Sequence, residues 1–403
     1  MRDVVIAGYL RTGLSRSRLK DPERDWFYKM PAQELMANVM VELVNRVNIE
    51  PAEIDDFLVG CGLAVGEQYT LGGRFPIFLA NFPCTIPAKC FDETCGSGHA
   101  ALNTGYLEVA SGAADIVMAG GFEHMTRVPL TMVGGGRSEI VHNKRLYEDE
   151  NLKHWEIKDV LNMGITAEKL YGKTDFTKED MDRWSVRSHH RAAKAEKEGF
   201  FSGEIVPIAV EQDDGTTLMV DRDQSIREDA TYEELSQLKS VFKADGGITA
   251  GNASPLNAGS SAIILMTKET ARKKGIKPLA TIRSIGFAGV DPTIMGEGPI
   301  PASKRALKMA GLKAADIDYW EINEAFAIVV LNCIKNFNID PERVNIKGGG
   351  ISIGHPLGVT GPRMVGTLAR ILQEKQARYG LANMCCGGGQ GTATIIERED
   401  YDW

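Results

Sequence analysis

A segment near the start of the chain returns in altered form near its end, and this internal repeat restricts the fold more than any other feature. Residues 49–60 (IEPAEIDDFLVG) align with residues 312–323 (LKAADIDYWEIN), and each follows a helical pattern, at 33–46 and 303–310. Both segments run from a small and an acidic residue through Ile-Asp and an aromatic residue into an apolar strand. The repeat predicts two copies of one α/β unit.

The order of the later elements supports the same duplication. In each half a reactive side chain is followed by a helical pattern and then by a short strand: Cys95, 100–110 and 115–119 in the first half, and His355, 363–374 and 380–384 in the second. Two units related by a pseudo-twofold axis bring such turns to one place, and turns after strand ends are where open α/β sheets usually carry their sites.

Residues from about 123 to 253 break this rhythm, because they are rich in charge and contain helical patterns and turn signals such as DDG at 213–215. We interpret them as a loop domain inserted into the first half, a natural place for a substrate lid. The predicted division is therefore an N-terminal half at 1–122, completed by about 254–272, the inserted domain at 123–253, and a C-terminal half at 273–403.

Composition excludes several classes of function. The chain has 403 residues, 43% hydrophobic and 25% charged, which is ordinary for a globular protein. A net charge of −8 argues against non-specific binding to nucleic acid or anionic membrane. The seven cysteines form no C-x-x-C pair or zinc pattern, so we expect no metal and a reducing compartment. Without a signal-peptide pattern or a stretch of roughly 20 apolar residues, the predicted location is cytoplasmic.

Three glycine-rich segments each place one reactive side chain among residues too small to cover it. They are 92–98 (DETCGSG, with Cys95), 348–363 (GGGISIGHPLGVTGPR, with His355) and 384–392 (MCCGGGQGT, with Cys385). Glycine allows sharp bends and close approach of a substrate to the backbone, and it leaves amide groups free to face a developing oxyanion. Two thiols, an imidazole and bare amides suit acyl-thioester chemistry.

Each candidate also has a structural alternative. Cys95 precedes a predicted helix, whose N-terminus lowers a thiol pKa, but a free cysteine is often simply buried. His355 lies between glycine and proline in what we expect to be a rigid, exposed turn, and it suits a proton acceptor better than a structural histidine. Cys385 heads its turn, with Cys386 as the neighbour that points the other way. Asn323, as a buried amide, either holds a water or donates to a carbonyl oxygen, and the structural alternative is that it caps a helix.

Together these residues resemble the thiolase family, specifically its acetyl-CoA acetyltransferase and 3-ketoacyl-CoA thiolase group. The resemblance spans the chain. The matching motifs are CGSG from Cys95, GGFEHM from Gly120, MGITAE from Met163, TAGNAS from Thr249, MGEGP from Met295, NEAF from Asn323, GHPLG from Gly354 and CCGGG from Cys385. The family resemblance implies an α/β thiolase fold of duplicated βαβαβαββ units in a five-layered α-β-α-β-α arrangement, with an inserted loop domain.

The resemblance also implies catalytic roles by position. Cys95 would be the acylated nucleophile, His355 the base that activates it, and Cys385 the group that takes the α-proton of an acyl-CoA. Asn323 would hold a water that forms one oxyanion hole with His355, and the backbone amides of Cys95 and Gly387 would form the other.

Substrate contacts follow from the same resemblance. Ser254 matches a pantetheine contact, Arg227 a basic residue near the adenine nucleotide, and Met163 a pocket-wall methionine. The implied ligands are acyl-CoA and coenzyme A as substrates, with no cofactor, and the implied assembly is a homodimer or homotetramer. The implied reaction is reversible Claisen condensation and thiolysis, with acetyl-CoA and acetoacetyl-CoA as the substrate pair.

Two other functions are compatible with such a fold. A decarboxylating ketoacyl synthase shares the fold, but its family resembles proteins with a Cys-His-His active site. This chain instead presents Cys385. A thiolase-fold subunit for acyl-CoA binding or assembly would be free to lose its reactive residues. One departure from the family stands beside the nucleophile, where Phe91-Asp92-Glu93 replaces the usual Val-Asn-Arg. We expect these carboxylates to meet a lysine or arginine from the loop domain or a partner subunit.

Overall fold

The computed structural model describes residues 2–129 and 143–400. Its strands are β1 (Val4–Thr12), β2 (Ser15–Arg16), β3 (Asp56–Gly60), β4 (Ala88–Phe91), β5 (Ile116–His124), β6 (Ile205–Val206), β7 (Ile208–Glu211), β8 (Thr217–Val220), β9 (Asn257–Thr267), β10 (Ala280–Gly289), β11 (Tyr319–Ile322), β12 (Tyr379–Cys386) and β13 (Gln390–Arg398). Its helices are α1 (Ala32–Val47), α2 (Arg74–Leu79), α3 (Ser97–Ser111), α4 (Arg145–Glu148), α5 (Ile157–Val160), α6 (Met163–Tyr171), α7 (Lys178–Lys197), α8 (Tyr232–Ser236), α9 (Lys268–Lys274), α10 (Pro299–Ala310), α11 (Ala327–Phe337) and α12 (Leu357–Lys375).

The main sheet confirms the internal repeat. Its strand order is β11-β12-β13-β10-β1-β9-β5-β3-β4, and the two halves meet where β1 pairs antiparallel with β10. Outward from that junction, each half adds two antiparallel neighbours and then a parallel one, β9, β5 and β3 on one side and β13, β12 and β11 on the other. The repeated sequence segments form β3 and β11, which occupy equivalent places in the two halves.

Helices cover and separate the two halves of the sheet in five layers. On the outer face of the first half, α1 packs with α2, and on that of the second half α10 packs beside α11. Between the halves lie α3 and α12, in contact with each other. One buried cluster joins Leu102 of α3, Leu368 of α12, Ile263 of β9 and Ile396 of β13, so this central layer packs against both halves. The predicted five-layered thiolase-like fold is confirmed.

The two central helices approach so closely that glycine is required at their crossing. A methyl group in place of the Gly98 hydrogen would lie 1.9 Å from the carbonyl oxygen of Gly358, far inside van der Waals contact. Gly98 is in the first turn of α3, and Gly358 is in the first turn of α12. The crossing therefore brings the starts of both helices together, and these are the ends that carry Cys95 and His355.

The insertion between β5 and β9 contains α4 to α8 and the β7–β8 hairpin, and its residues 130–142 lie outside the described part of the chain. A buried arginine, Arg11 on β1, attaches it to the core through ion pairs with Glu204 (2.8 Å) and Asp223 (2.6 Å). The predicted domain boundaries stay predictions. No helix within residues 2–129 and 143–400 is long and apolar enough to cross a membrane.

Candidate active site

Cys95 lies in a sharp turn between β4 and α3. The turn is a short 3-10 helix over Thr94–Gly96, and Thr94 has φ +52, a left-handed conformation that is unusual for a β-branched residue. Cys95 is buried, with 5% of its surface exposed. Because α3 itself begins at Ser97, the thiol sits in the turn before the helix and not at its first residue.

The expected lowering of the Cys95 pKa is wrong. Burial raises the pKa of this thiol to about 12, although a hydrogen bond from the Gly387 backbone acts in the opposite direction. Desolvation exceeds the effect of the amides at the helix start because the thiol is enclosed by apolar atoms. Cys95 is therefore a neutral thiol at physiological pH, and it needs a base when it reacts.

His355 is buried, with 4% of its surface exposed, so the expectation of an exposed turn is wrong. Gly354 before it has φ +127, and a methyl group there would collide with the Asn257 side chain at 2.7 Å. That side chain holds the turn in place, because its Oδ1 accepts a hydrogen bond from the His355 backbone amide at 3.0 Å. The imidazole is thus enclosed and fixed from the backbone side.

The hydrogen bonds around His355 define which ring nitrogen carries the proton. The Thr360 hydroxyl donates to the Pro356 carbonyl (2.8 Å), so at 2.7 Å from Nδ1 it accepts the Nδ1 proton. Nε2 then carries the lone pair and accepts a hydrogen bond from the side-chain Nδ2 of Asn323 at 3.3 Å. Burial, and secondarily the charge of Arg363, lowers the pKa of His355 to about 3. The ring is neutral at physiological pH, and its Nε2 is unprotonated.

Asn323 does not cap the helix that follows it. The N-terminal cap of α11 is Phe326, so the capping alternative is wrong. The backbone amide of Asn323 donates to the Asn383 carbonyl at 3.0 Å, which holds the residue at the end of β11. Its side-chain Oδ1 is buried and has no hydrogen-bond partner within the described residues. A free acceptor beside the histidine leaves a place for a polar group or a water.

Cys385 and Cys386 both end near Cys95, at the end of β12. Cys385 is fully buried, and its pKa is raised well above the usual value, first by burial and then by nearby Cys95. Cys386 packs in one cluster with Cys95 and Leu357. A methyl group at Gly96 would lie 2.4 Å from the Cys386 sulfur. Cys385 packs in a different cluster, as expected for neighbours that point to opposite sides of a strand, and the turn at Cys95 folds over Cys386.

Gly387 and Met163 join the same group. A methyl group at Gly387 would lie 3.2 Å from Met163 Sδ and 3.1 Å from Thr94 Oγ1. Met163 is the first residue of α6, and Asn162 caps that helix by accepting a hydrogen bond from the Ile165 amide at 3.3 Å. The structure thus gathers a thiol turn, a second thiol, a bare amide segment and a thioether from distant parts of the sequence.

Arg227 lines a neighbouring cavity, and Ser254 lies between two of the residues that line it, so the structure does not group either with these thiols. The backbone amide of Ser254 donates to the Ala325 carbonyl at 3.0 Å, which ties it to the segment after Asn323. Arg227 lines the cavity, and its backbone amide donates to His189 Nδ1 at 3.2 Å. The cavity also contacts Ala253 and Pro255, on either side of Ser254.

The Asp92-Glu93 pair meets no cation within residues 2–129 and 143–400. Neither carboxylate forms an ion pair within the described residues, so the expected contact with the loop domain is wrong there, and the partner-subunit alternative stays a prediction. Glu93 Oε2 is buried without a hydrogen-bond partner in the same part of the chain, beside Gly96. Burial raises the pKa of Glu93 to about 7. This carboxyl titrates near neutrality two residues before Cys95.

Sequence reasoning missed three residues that hold the site. Thr360 and Asn257 fix His355, and Glu123 accepts hydrogen bonds from the backbone amides of Gly62 (2.8 Å) and Gly358 (3.0 Å). Thr360 follows His355 by five residues. Once the helix is known to begin at Leu357, this spacing identifies Thr360 as a contact of His355. Asn257 has no signal in the sequence, since it lies far from every segment it supports.

Family models match almost the whole chain. The thiolase N-terminal domain matches residues 4–269, and the thiolase C-terminal domain matches residues 276–398.

Curated relatives and a solved structure agree with these matches. A 3-ketoacyl-CoA thiolase of Saccharophagus degradans is 38% identical over 402 residues, 98% of each chain. A probable acetyl-CoA acyltransferase of Staphylococcus aureus is 35% identical over 403 residues, which are 99% of this chain and all of that one. The crystal structure of the Bacillus anthracis acetyl-CoA acetyltransferase is similar, with a TM-score of 0.85 and 34% identity over 99% of both chains.

Proposed function

This chain belongs to the thiolase family of acyl-CoA acyltransferases, and we propose that it catalyses reversible Claisen condensation and thiolysis through an acyl-enzyme on Cys95. In this proposal a 3-ketoacyl-CoA is cleaved by coenzyme A, and in reverse two acyl-CoA molecules condense. Acetoacetyl-CoA and acetyl-CoA are the proposed pair, because relatives are named both as acetyl-CoA acetyltransferase and as 3-ketoacyl-CoA thiolase.

The observation that supports the proposal is that the crossing of α3 and α12 places the turn of Cys95, a buried neutral thiol, against the start of α12, just after His355, a buried neutral imidazole whose Nε2 is unprotonated. Cys95 does not begin as a thiolate, since burial raises its pKa to about 12. His355 Nε2 takes the thiol proton as the sulfur attacks the keto carbonyl, and the Cys95–acyl bond forms while the bond to the α-carbon breaks. Splitting the transfer through an enzyme thioester replaces one difficult step by two easier ones.

Proton balance gives Cys385 its role. The departing acetyl-CoA carbanion takes a proton from the Cys385 thiol, whose raised pKa keeps it protonated at rest. Coenzyme A then returns a proton to the Cys385 thiolate as its own sulfur attacks the acyl group, and the Cys95 sulfur leaves with the proton held by His355. Both thiols and the imidazole regain their resting states. Condensation follows the same steps in reverse.

Oxyanion stabilisation follows from the amides already described. The Cys95 and Gly387 backbone amides are proposed to bind the oxygen of the acyl-enzyme carbonyl, which the hydrogen bond from the Gly387 backbone toward the Cys95 sulfur supports. Asn323, with a water, and His355 are proposed to bind the oxygen of the acetyl-CoA enolate. The proposed chemistry uses no resident cofactor, because the thioester itself acidifies the α-carbon.

Ser254, Arg227 and Met163 complete the proposed substrate site. The first two flank the cavity beside the catalytic group, where the pantetheine and nucleotide of coenzyme A are proposed to lie, and Met163 borders the acyl group. A cytoplasmic location and a homodimer or homotetramer are part of the same proposal. A ketoacyl synthase is disfavoured because its site is of the Cys-His-His type, whereas this chain has Cys385 in place of the second histidine.

The test is cleavage of acetoacetyl-CoA by the purified protein in the presence of coenzyme A, followed by mass spectrometry of the enzyme after incubation with acetyl-CoA alone. We expect CoA-dependent cleavage and an acetyl group on Cys95. Tight binding of acyl-CoA without cleavage of any chain length would instead identify a binding or assembly subunit. Acetyl transfer to another cysteine would contradict the assignment of Cys95.

A further inference from the structure

The cavity beside the site has a second basic wall, which comes from the start of the chain. Arg16 lies on β2, paired with Asn257 at the beginning of β9. Asn257 links this edge to the catalytic group, since its side chain donates to the Ser15 carbonyl (2.9 Å) and accepts from the His355 amide. The cavity wall carries Arg16, Arg227, His189, Ser225, Ala253, Pro255 and Ile351.

The positive charge of this wall is uncompensated within the part of the chain that the structure describes. Arg16, Arg18 and Arg227 form no ion pair there, and the Arg18 Nε is buried without a partner. Burial, and then the charges of Arg18 and Arg227, lowers the pKa of Arg16, as expected for guanidinium groups that repel one another. The carboxylate of the same segment, Asp25, instead accepts hydrogen bonds from hydroxyl groups and the Phe27 amide.

Such a wall fits a ligand that brings its own negative charge. Arg16 is half-buried and its backbone amide is held by Gln224 Oε1 at 2.7 Å, so its position is fixed from the main chain. His189 adds a neutral ring, because burial and the nearby arginines lower its pKa to about 4. Clustered guanidinium groups in a partly desolvated place are costly when empty and are stabilised by a phosphate, which they bind through paired N–H groups.

We propose that Arg16 is a phosphate-recognition residue, which together with Arg227 binds the phosphate groups at the nucleotide end of coenzyme A. The inference rests on the proposed function, and it adds a residue from the N-terminal strand to the substrate site. Through these phosphate contacts the chain would select thioesters of coenzyme A over thioesters of pantetheine, which lacks the nucleotide.

The experiment compares three thiol acceptors in cleavage of acetoacetyl-CoA: coenzyme A, dephospho-coenzyme A, which lacks only the 3′-phosphate, and pantetheine, which lacks the nucleotide. Arg16→Gln should raise the KM for coenzyme A about tenfold to a hundredfold, the loss of one charge-assisted contact. It should leave kcat and the KM for pantetheine unchanged. Arg16→Lys should restore part of the affinity. An effect that disappears with dephospho-coenzyme A assigns the 3′-phosphate, and an effect that persists assigns the diphosphate.

The matched control is Arg46→Gln, which removes an exposed arginine of α1 that pairs with Glu42 and should change no KM.

An equal rise in KM for pantetheine and coenzyme A in Arg16→Gln would overturn the inference. Calorimetric binding of adenosine 3′,5′-bisphosphate tests it without catalysis, because wild type should bind more tightly than Arg16→Gln, and equal binding would refute it. Absence of cleavage with every acceptor would refute the proposed function and leave this binding result to judge Arg16.

Discussion

At the scale of single residues, the site is built from groups that are neutral because they are buried. Enclosure raises the pKa of Cys95 to about 12 and lowers that of His355 to about 3, so neither ionises near pH 7. In the proposed mechanism, proton transfer between them creates charge only as the substrate reacts, where prepositioned amides can stabilise it. The sequence could identify these residue types but not their protonation, which depends on atoms supplied by distant segments.

Burial also changes what a labelling experiment should find. Cys84 is exposed, whereas Cys95 is enclosed and has a raised pKa. We therefore expect iodoacetamide at neutral pH to modify Cys84 first, and acetyl-CoA to modify Cys95, because in the proposed mechanism His355 takes the thiol proton only as the substrate reacts. Peptide mass spectrometry after short incubation with each reagent distinguishes the two patterns. Rapid alkylation of Cys95 ahead of Cys84 would show that the thiol is more reactive than its burial implies.

Replacing Cys385 should separate the two half-reactions. In the proposed mechanism, acetylation of Cys95 by acetyl-CoA needs His355 but no carbon acid. Cys385→Ser should therefore still form the acyl-enzyme while turnover falls about 10²–10⁴-fold, as is typical when a positioned acid or base is lost. Mass spectrometry and the cleavage assay measure the two effects. Cys386→Ala, which alters the adjacent thiol, is the control and should retain most turnover. A Cys385→Ser enzyme with nearly normal turnover would make Cys385 structural.

Glu93 should make stability depend on pH. Its folded pKa is raised to about 7 from 4.5, so the folded chain binds the proton more tightly, and stability falls as pH rises from about 4.5 through 7. Glu93→Gln removes this loss. The variant should exceed wild type at pH 8 by roughly 1–2 kcal/mol, allowing for partial exposure, and match it near pH 4.5. Urea unfolding at both values measures the difference. A cation supplied by a partner subunit would abolish or reverse it.

At the scale of elements, patterns located the helices and strands but missed the turns that matter. Apolar periodicity predicted the helix at 33–46, and α1 spans Ala32–Val47. By contrast, the helix predicted from residue 363 begins at Leu357. The prediction started too late because Gly358, Gly361 and Pro362 look like helix breakers in the sequence. The two glycines are needed where α3 approaches, whereas Pro362 lies inside the helix and cannot donate a backbone hydrogen bond to the Gly358 carbonyl. Such close packing is a tertiary property that no local pattern contains.

The early start of α12 places Thr360 under His355, and its loss should be measurable. Thr360→Val leaves the Nδ1 proton of His355 buried without an acceptor, a penalty of about 1–3 kcal/mol. We expect kcat to fall at least tenfold and Thr360→Ser to restore it, because serine keeps the hydroxyl. The rate of Cys95 acetylation should fall in parallel, whereas the KM for coenzyme A should not. Normal acetylation in Thr360→Val would show that the ring is held by other contacts.

At the scale of the whole molecule, one buried cluster of charges connects the inserted segment to both the sheet and the central helices. Arg11 on β1 binds Asp223 through two nitrogens (2.6 and 2.9 Å) and Glu204 at 2.8 Å, and Glu204 also pairs with Arg370 of α12 at 2.8 Å. The insertion that carries Arg227 is thereby coupled to the helix that begins beside His355. Sequence pattern could not reveal this, because the partners are about 200 residues apart.

Breaking this cluster should affect folding and substrate binding together. Asp223→Ala removes one carboxylate and leaves Arg11 buried with a single remaining partner, which typically costs about 3–5 kcal/mol. Asp213→Ala is the matched control, because it also removes an aspartate that pairs with a cation but is 91% exposed, and such pairs contribute about 0–1 kcal/mol. Urea unfolding gives the stabilities, and cleavage kinetics give the KM for coenzyme A, which should rise only in Asp223→Ala because the segment with Arg227 is no longer held against β1. If Asp223→Ala loses stability while that KM stays constant, the cavity wall with Arg16 and Arg227 is positioned independently of the buried charges. The predicted coupling between the insertion and the site would then be wrong.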